Sequence, residues 1–346
     1  MRALRKESAA PGLVLAGVPE PVAGPRDVVI GVRYAGICGT DRHIRDWDAW
    51  AASRIVPPRT LGHEVVGTVV AVGSAVERVA VGQRVTAEGH IGCGRCEPCR
   101  SGNGHICDAV DIIGVDRDGS FAERIVVPEE NVWVLDPAIP DTIAAIMDPL
   151  GNAMHTVMAA GVSGRSVLVT GAGVIGLMAI AIARAAGAGT ILATDIDPRR
   201  LARAEAMGAD ATWRADDPGW PEAVRARTAG EGPQVLLEMS GSPSAIRAGL
   251  GVLRNGGRAA LLGLPAEPVA LDLPNALIFK GATILGINGR LMYATWYQVE
   301  AFLVSGRLDV ASLVTDIVPL AEHADAFRRL ESGDAVKVLL AVGGDA

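Results

Sequence analysis

A chain of 346 residues, 49% apolar and 21% charged, is long enough for two domains with separate cores and has the composition of an ordinary globular protein. Its formal charge of −7, with no basic run, argues against a general affinity for nucleic-acid phosphates or anionic membranes. The opening MRALRKESAAPGLVLAGVPEP is broken by Gly17 and Pro19, and the longest apolar run, Val174 to Ala183, stops at Arg184. Neither suits a leader or a membrane span, so the expectation is a soluble cytoplasmic protein.

From about Asp27 to Leu135 the chain alternates β-branched residues between glycines. Val28, Ile30, Val32 and Tyr34 read as one face of a strand, and VVGTVVAVGSAV and ERIVVPEENVWVL as further strands. Gly67 and Gly73 are expected to mark bends or bulges. This half reads as a β-rich domain, a small barrel whose loops carry the chemistry.

Those loops hold all five cysteines. Cys38 stands in AGICGTDRH, and His63 and Glu64 follow in LGHEVVGTVVAVGSAV. Taken singly, a cysteine is more often a buried apolar residue and a His-Glu pair is unremarkable. Together they offer a thiolate, an imidazole and a carboxylate, the donors of an open catalytic zinc site. Adjacent side chains on extended backbone point to opposite faces, so His63 and Glu64 need a local bend to reach one metal.

Cys93, Cys96, Cys99 and Cys107 follow within EGHIGCGRCEPCRSGNGHIC. Four thiols this close suit a closed, structural tetrathiolate zinc site. A pair of disulfides is the bland alternative, disfavoured where no secretory context is visible. An iron–sulfur cluster is the other, but seven residues separate the last two cysteines and no proline follows.

Beyond Pro149 the texture changes. Ser166–Thr170 reads as a strand, Val174–Ala186 as a helix and Thr190–Thr194 as a second strand, with QVLLEMSG, RAALLGLP and TILGING as later strands among helices. That order describes a doubly wound parallel sheet. Gly171, Gly173 and Gly176 form G-x-G-x-x-G between strand and helix, and Asp195 ends the next strand, the context in which the motif binds a dinucleotide. The Asp195 carboxylate would accept from ribose hydroxyls and repel a 2′-phosphate, favouring NAD over NADP, although Arg199 and Arg200 follow at once. After Gly289 the chain turns polar and helical, then ends in the apolar strand VKVLLAVG.

Over essentially its whole length the chain resembles the zinc-containing medium-chain dehydrogenase/reductase family. GHEVVGTVVAVGSAV matches the family's zinc signature, and the four-cysteine lobe and nucleotide half come in family order. ICGTDRHIRDWDAWA, AEGHIGCGRC, DPLGNAMHTVM, LEMSGSP and GINGRLMYATWY are most similar to its threonine-oxidising branch. The resemblance implies an α/β fold with a GroES-like β-barrel catalytic domain at 1–147 that includes the zinc lobe. A Rossmann NAD-binding domain at 148–288 and a C-terminal segment at 289–346 returning to the catalytic domain would complete it. It also implies a homotetramer, two Zn²⁺ per subunit, and NAD-dependent oxidation of the 3-hydroxyl of L-threonine, a small-molecule amino alcohol.

By the same resemblance, Thr40 and His43 are the proton relay to solvent. Asp148 stands where related polyol dehydrogenases carry a ligand glutamate. One methylene shorter, it is placed at the chemistry through water or the relay. Arg290 is the anchor for the substrate carboxylate, a role for which the guanidinium fork is suited. His90 is placed in the same pocket, and Ile175, Arg200, Leu262, Gly263, Leu264, Gly286 and Ile287 at the NAD. His105, His155 and His323 carry no such argument. Two positions depart from the pattern: Arg45 replaces an aromatic and Leu291 an acidic residue, either of which would reshape the pocket. Other 3-hydroxy amino acids, polyols and vicinal diols therefore remain alternative substrates. A non-catalytic nucleotide- or zinc-binding regulator is disfavoured by the joint presence of Cys38, Thr40, His43 and His63.

Overall fold

Asp27–Gly36 is the spine of a seven-stranded sheet. A computed structural model describes residues 1–343. In it the spine runs antiparallel to Glu64–Val72, Arg124–Pro128 and, near its end, Lys337–Ala341. Arg84–Ala87 and Val132–Val134 extend one side, and Val314–Pro319 joins the other in parallel. Val28, Val29 and Ile30 are buried in succession, so both faces of the spine are covered there and the expected alternation is lost. Leu4, Ile30, Val65, Val85, Phe121 and Leu340 belong to the core that this sheet encloses.

The bulges differ from expectation in an instructive way. One register shift falls between Val32 and Tyr34, on the strand opposite Gly67. Gly67 itself permits close approach: a Cβ there would stand 2.1 Å from the Gly31 carbonyl oxygen. The same holds at Gly73, where a Cβ would stand 2.0 Å from Gly24 O. The segment ERIVVPEENVWVL breaks after Pro128 into a 3₁₀ turn at Glu129–Asn131, leaving two strands.

The second sheet has six strands, all parallel: Ala211–Arg214, Thr190–Asp195, Ser166–Thr170, Val235–Glu238, Arg258–Leu261 and Thr283–Gly286 in spatial order. Numbered along the chain this is 3-2-1-4-5-6, the doubly wound arrangement whose topological switch lies beside the first strand. Its inner strands are continuously apolar, Val167–Val169 and Val235–Leu237 being fully buried, as a sheet covered on both faces requires. Helices Val174–Ala185, Pro198–Ala206, Trp220–Arg227 and Pro243–Val252 alternate with these strands. Helix Val174–Ala185 ends one residue short of the expected span.

Two compact units result: Met1–Pro149 with Leu291–Trp296 and the chain from Ala311 onward, and Leu150–Arg290 with Tyr297–Val310. The segment expected to return whole to the first domain is thus divided, because Tyr297–Val310 packs with the second unit. Among the described residues no helix is long and apolar enough to cross a membrane.

Candidate metal and nucleotide sites

Two segments of the first unit bring Cys38, His63 and Glu64 together. Cys38 is the N-cap of helix Gly39–Asp46, and Glu64 opens the strand Glu64–Val72. Gly62, at φ +91°, supplies the bend that lets the next two side chains serve one site. One donor atom from each of Cys38, His63 and Glu64 lies within 4.8 Å of the others. His63 Nδ1 and Glu64 Oε2 are buried without hydrogen-bond partners, an arrangement that costs free energy unless something occupies them. Gly36 makes the room, since a Cβ there would stand 2.1 Å from Glu64 Oε2.

The electrostatics also ask for a cation. Burial would lower the His63 pKa, but the Cys38 thiolate, with Asp41 and Asp148, raises it to about 10. Burial pushes Glu64 upward against the opposing pull of Lys337 and His63. Asp41 is fully buried and shifted upward by desolvation. Four acidic groups thus crowd around one ammonium and one imidazole. A soft thiolate, an imidazole and a carboxylate fit zinc, and a divalent ion would balance most of the excess negative charge.

The second cluster is the four-cysteine lobe. All five cysteines are free, so the disulfide alternative falls. Donor sulfurs of Cys93, Cys96, Cys99 and Cys107 lie within 4.8 Å of one another. The Cys96 and Cys107 sulfurs are 3.7 Å apart, close to the ~3.8 Å edge of a tetrahedron with Zn–S bonds of about 2.3 Å. Gly94 turns the chain at φ +71°, and Cys96 caps the short helix Glu97–Arg100. Backbone N–H groups of Arg95 and Cys96 hold the Cys93 thiol down to about 6, while desolvation and Cys96 push Cys99 up to about 12.

Around the first cluster, Thr40 Oγ1 is 3.9 Å from Cys38 Sγ. His43 lies one turn along the same helix, its side chain 61% exposed and its Nδ1 2.5 Å from Asp48 Oδ2. Asp148 is buried and acts electrostatically on both His63 and Glu64. His90 is largely covered, its backbone N–H donating to Glu88, whose other oxygen accepts from Trp296 Nε1. Arg45 does not act as a free pocket residue: its guanidinium binds Asp46 and Glu331 and lies over the Phe327 ring. Leu291 begins the short return of the chain to the first unit, which Tyr293 fastens by donating to the Glu130 carbonyl.

In the second unit the three glycines do different work. A Cβ at Gly171 would stand 2.8 Å from Ser240, and one at Gly176 only 1.9 Å from Gly171 O. A Cβ at Gly173 would meet nothing within 4 Å among the described residues. Gly173 is also the N-cap of helix Val174–Ala185, with no side chain capping the turn. The chain's own packing does not demand a glycine there, whereas a pyrophosphate seated on the helix N-terminus would. Asp195 is buried at its strand end, accepting from the N–H groups of Ala172 and Asp197. Arg199 is engaged by Asp197, and Arg200 lies 3.7 Å from Asp195. Ile175, Leu262, Gly263 and Ile287 are half-buried, whereas Leu264 and Gly286 are exposed. Arg290 is 2% exposed, lies along Gly151, and donates from Nη1 to Asn152 Oδ1 at 3.2 Å.

Residues 24–137 match the alcohol dehydrogenase GroES-like domain and residues 174–305 the zinc-binding dehydrogenase domain. An L-threonine 3-dehydrogenase of Symbiobacterium thermophilum is 48% identical over 98% of this chain and 97% of its own length. The chain belongs to the zinc-containing medium-chain dehydrogenase/reductase family. An L-threonine 3-dehydrogenase of Bacillus subtilis is 46% identical over 98% of both chains. An Escherichia coli CFT073 alcohol dehydrogenase complexed with NADH superimposes with a TM-score of 0.90 at 28% identity, covering 99% of each chain.

Within this zinc-dehydrogenase fold, two charged residues escaped the sequence reading. Lys337 Nζ donates to Glu64 Oε1 at 2.6 Å and to the Ile37 carbonyl at 2.7 Å, fully buried. Its signal was a lone charge inside the apolar strand VKVLLAVG, which requires a buried partner. Asp41 Oδ2 accepts from the Cys38 N–H at 2.8 Å, so the helix that presents the thiol is closed by an acid beneath it. In sequence Asp41 looks like any acidic residue in a first helical turn.

Proposed function

We propose that this dehydrogenase oxidises the 3-hydroxyl of L-threonine to L-2-amino-3-oxobutanoate, with NAD⁺ as hydride acceptor. The observation that carries the reading is the Cys38–His63–Glu64 donor set in a chain nearly half identical, end to end, to L-threonine 3-dehydrogenases. When bound, zinc polarises the substrate hydroxyl and NAD⁺ takes the hydride from the substrate carbon. Cys38, His63 and Glu64 hold that zinc, and the four-cysteine lobe holds a second, structural one.

The remaining work falls to the chain's own groups. The Thr40 hydroxyl passes the substrate proton to His43, whose exposure lets it discharge to solvent. Asp148, buried beside the ligands, keeps the site anionic and organises water. Arg290 receives the substrate carboxylate on its fork, and His90 is a second substrate-binding residue. Gly171, Gly173 and Gly176 seat the pyrophosphate, and Asp195 accepts from the ribose hydroxyls. NAD⁺ is favoured over NADP⁺ because the two nearby arginines already face Asp197 and Asp195. Ile175, Leu262, Gly263, Leu264, Gly286 and Ile287 contribute the rest of the cofactor bed. The enzyme is a homotetramer of the cytoplasm, where the five thiols stay reduced.

The test is NADH formation with L-threonine against L-serine, bulkier 3-hydroxy amino acids, 2,3-butanediol and sorbitol. L-Threonine is expected to give the highest kcat/KM. A diol or polyol preferred over every amino acid overturns the substrate assignment.

A further inference from the structure

Asp48 lies five residues beyond His43, and the backbone folds it back onto that ring. Helix Gly39–Asp46 ends at Trp47, a non-glycine residue in the left-handed region at φ 58° and ψ 47°, and Asp48 then becomes the N-cap of helix Ala49–Arg54. A bulky residue pays for that conformation, so the turn must be held from outside. Lys6 does so. Fully buried, it donates to the carbonyls of Ala10, Gly12 and Arg45, and its ammonium lies 5.1 Å from the centre of the Trp47 ring.

The turn divides the Asp48 carboxylate between two tasks. Oδ1 accepts the Ala51 N–H at 2.9 Å and caps the second helix, while Oδ2 stands 2.5 Å from His43 Nδ1. Trp50 closes on the imidazole edge-on, with centroids 6.2 Å apart and planes at 67°. An N-cap needs only one oxygen, and the second is aimed at the ring that the relay uses.

We propose that Asp48 is the positioning residue of the proton relay: it accepts the Nδ1–H of His43 and so keeps Nε2 unprotonated and ready to receive the substrate proton. This rests on the relay reading above. In turnover the hydroxyl proton of the substrate moves to the Thr40 oxygen as the Thr40 proton forms the new N–H bond at His43 Nε2. The hydride leaves with its electron pair to NAD⁺. Asp48 stays ionised, aided by its hydrogen bond from Ala51 and its pairing with His43, both of which hold its carboxyl below the usual range. The imidazolium then gives its Nε2 proton to water. A carboxylate fixing the tautomer of a working histidine is the same logic as in the serine-protease triad, where an amide in place of the acid presents the wrong tautomer.

Asp48→Asn separates positioning from capping, because asparagine caps a helix as well as aspartate does. With Oδ1 kept on Ala51, the amide NH₂ faces Nδ1 and drives the ring proton to Nε2. We expect kcat with L-threonine to fall at least tenfold in Asp48→Asn while KM and thermal stability stay within about twofold and a few degrees of the parent. In a His43→Gln background the same change is expected to cost less than twofold, since the ring it orients is gone. An equal loss in both backgrounds, or no loss in either, overturns the proposal. ¹⁵N spectra of the histidine-labelled protein at alkaline pH read the tautomer directly. Nδ1-protonated His43 in the parent and Nε2-protonated His43 in Asp48→Asn are expected, and Nε2 protonation in the parent overturns it. If the parent oxidises none of the substrates, the functional reading has failed, and the spectra still decide whether Asp48 sets the tautomer.

Discussion

Lys337 is one ammonium in an otherwise apolar strand, and it faces Glu64, Cys38 and Asp41 with no access to water. Burial would lower its pKa, but those three anions outweigh the desolvation and raise it. Removing it leaves carboxylates buried without their counter-charge, and breaking such a pair from one side costs ~3–5 kcal/mol. Lys337→Met is therefore expected to lose about that much stability in urea unfolding, and a loss below ~1 kcal/mol would show that Glu64 simply protonates. Arg290 poses a different question, because it is buried and already holds Asn152. Its truncation will disturb packing whatever its role, so activity alone is a poor readout. The ratio of kcat/KM for L-threonine to that for threoninol, which lacks the carboxylate, isolates the anchor. We expect Arg290→Ala to shrink that ratio roughly tenfold or more, as losing a charged hydrogen bond of ~1.5–3 kcal/mol requires, and Arg290→Lys to restore part of it. An unchanged ratio would leave Arg290 as a packing residue.

At the scale of single elements, the glycine turn makes the sharpest prediction. Gly173→Ala adds a methyl that meets nothing among the described residues, so thermal stability should hold while NAD⁺ affinity drops. Gly176→Ala drives a methyl to 1.9 Å from the Gly171 carbonyl oxygen and should destabilise the unit by ~1–3 kcal/mol before any ligand is added. Calorimetry with and without NAD⁺ distinguishes the two, and equal stability losses would defeat the assignment of Gly173 to the ligand. The four-cysteine lobe yields the next. Its short strands and single-turn helix carry little core of their own, so the metal must supply the folding energy. Cys99→Ser is expected to reduce zinc from two per chain to one and to expose the 92–107 loop to proteolysis. Fully remetallated parent protein with one zinc per chain would refute the two-site reading. These elements were legible beforehand because their signals are local: glycines at fixed spacing between strand and helix, and thiols within one loop. Lys337 was not, since its partner Glu64 lies 273 positions away and only the pairing of the last strand with Asp27–Gly36 joins them. The helix after His43 was hidden for a neighbouring reason. A left-handed tryptophan has no sequence signature, so nothing in the sequence turned Asp48 back toward His43.

For the whole molecule, the nucleotide sheet ends in a strand with no second neighbour. Thr283–Gly286 pairs only with Arg258–Leu261 among the described residues, leaving its outer row of backbone donors and acceptors unpaired. An exposed edge of this kind invites pairing with another chain unless it is blocked by charge, proline or a bulge. Here it carries none of these. Ile284 on the strand is 36% exposed, and Ile278 and Phe279 just before it are 68% and 76% exposed. Apolar side chains gathered beside a bare edge fit an interface between copies better than a solvated surface. The homotetramer proposed above would have one of its contacts at this edge, where two sheets would continue into each other. Phe279→Glu combined with Ile284→Lys places charge on that edge without touching a metal or nucleotide residue. Light scattering should show the mass falling to half the parent's or less, with zinc content and unit stability retained. A parent that already runs as a single chain, or a double variant of unchanged mass, would move the contact elsewhere.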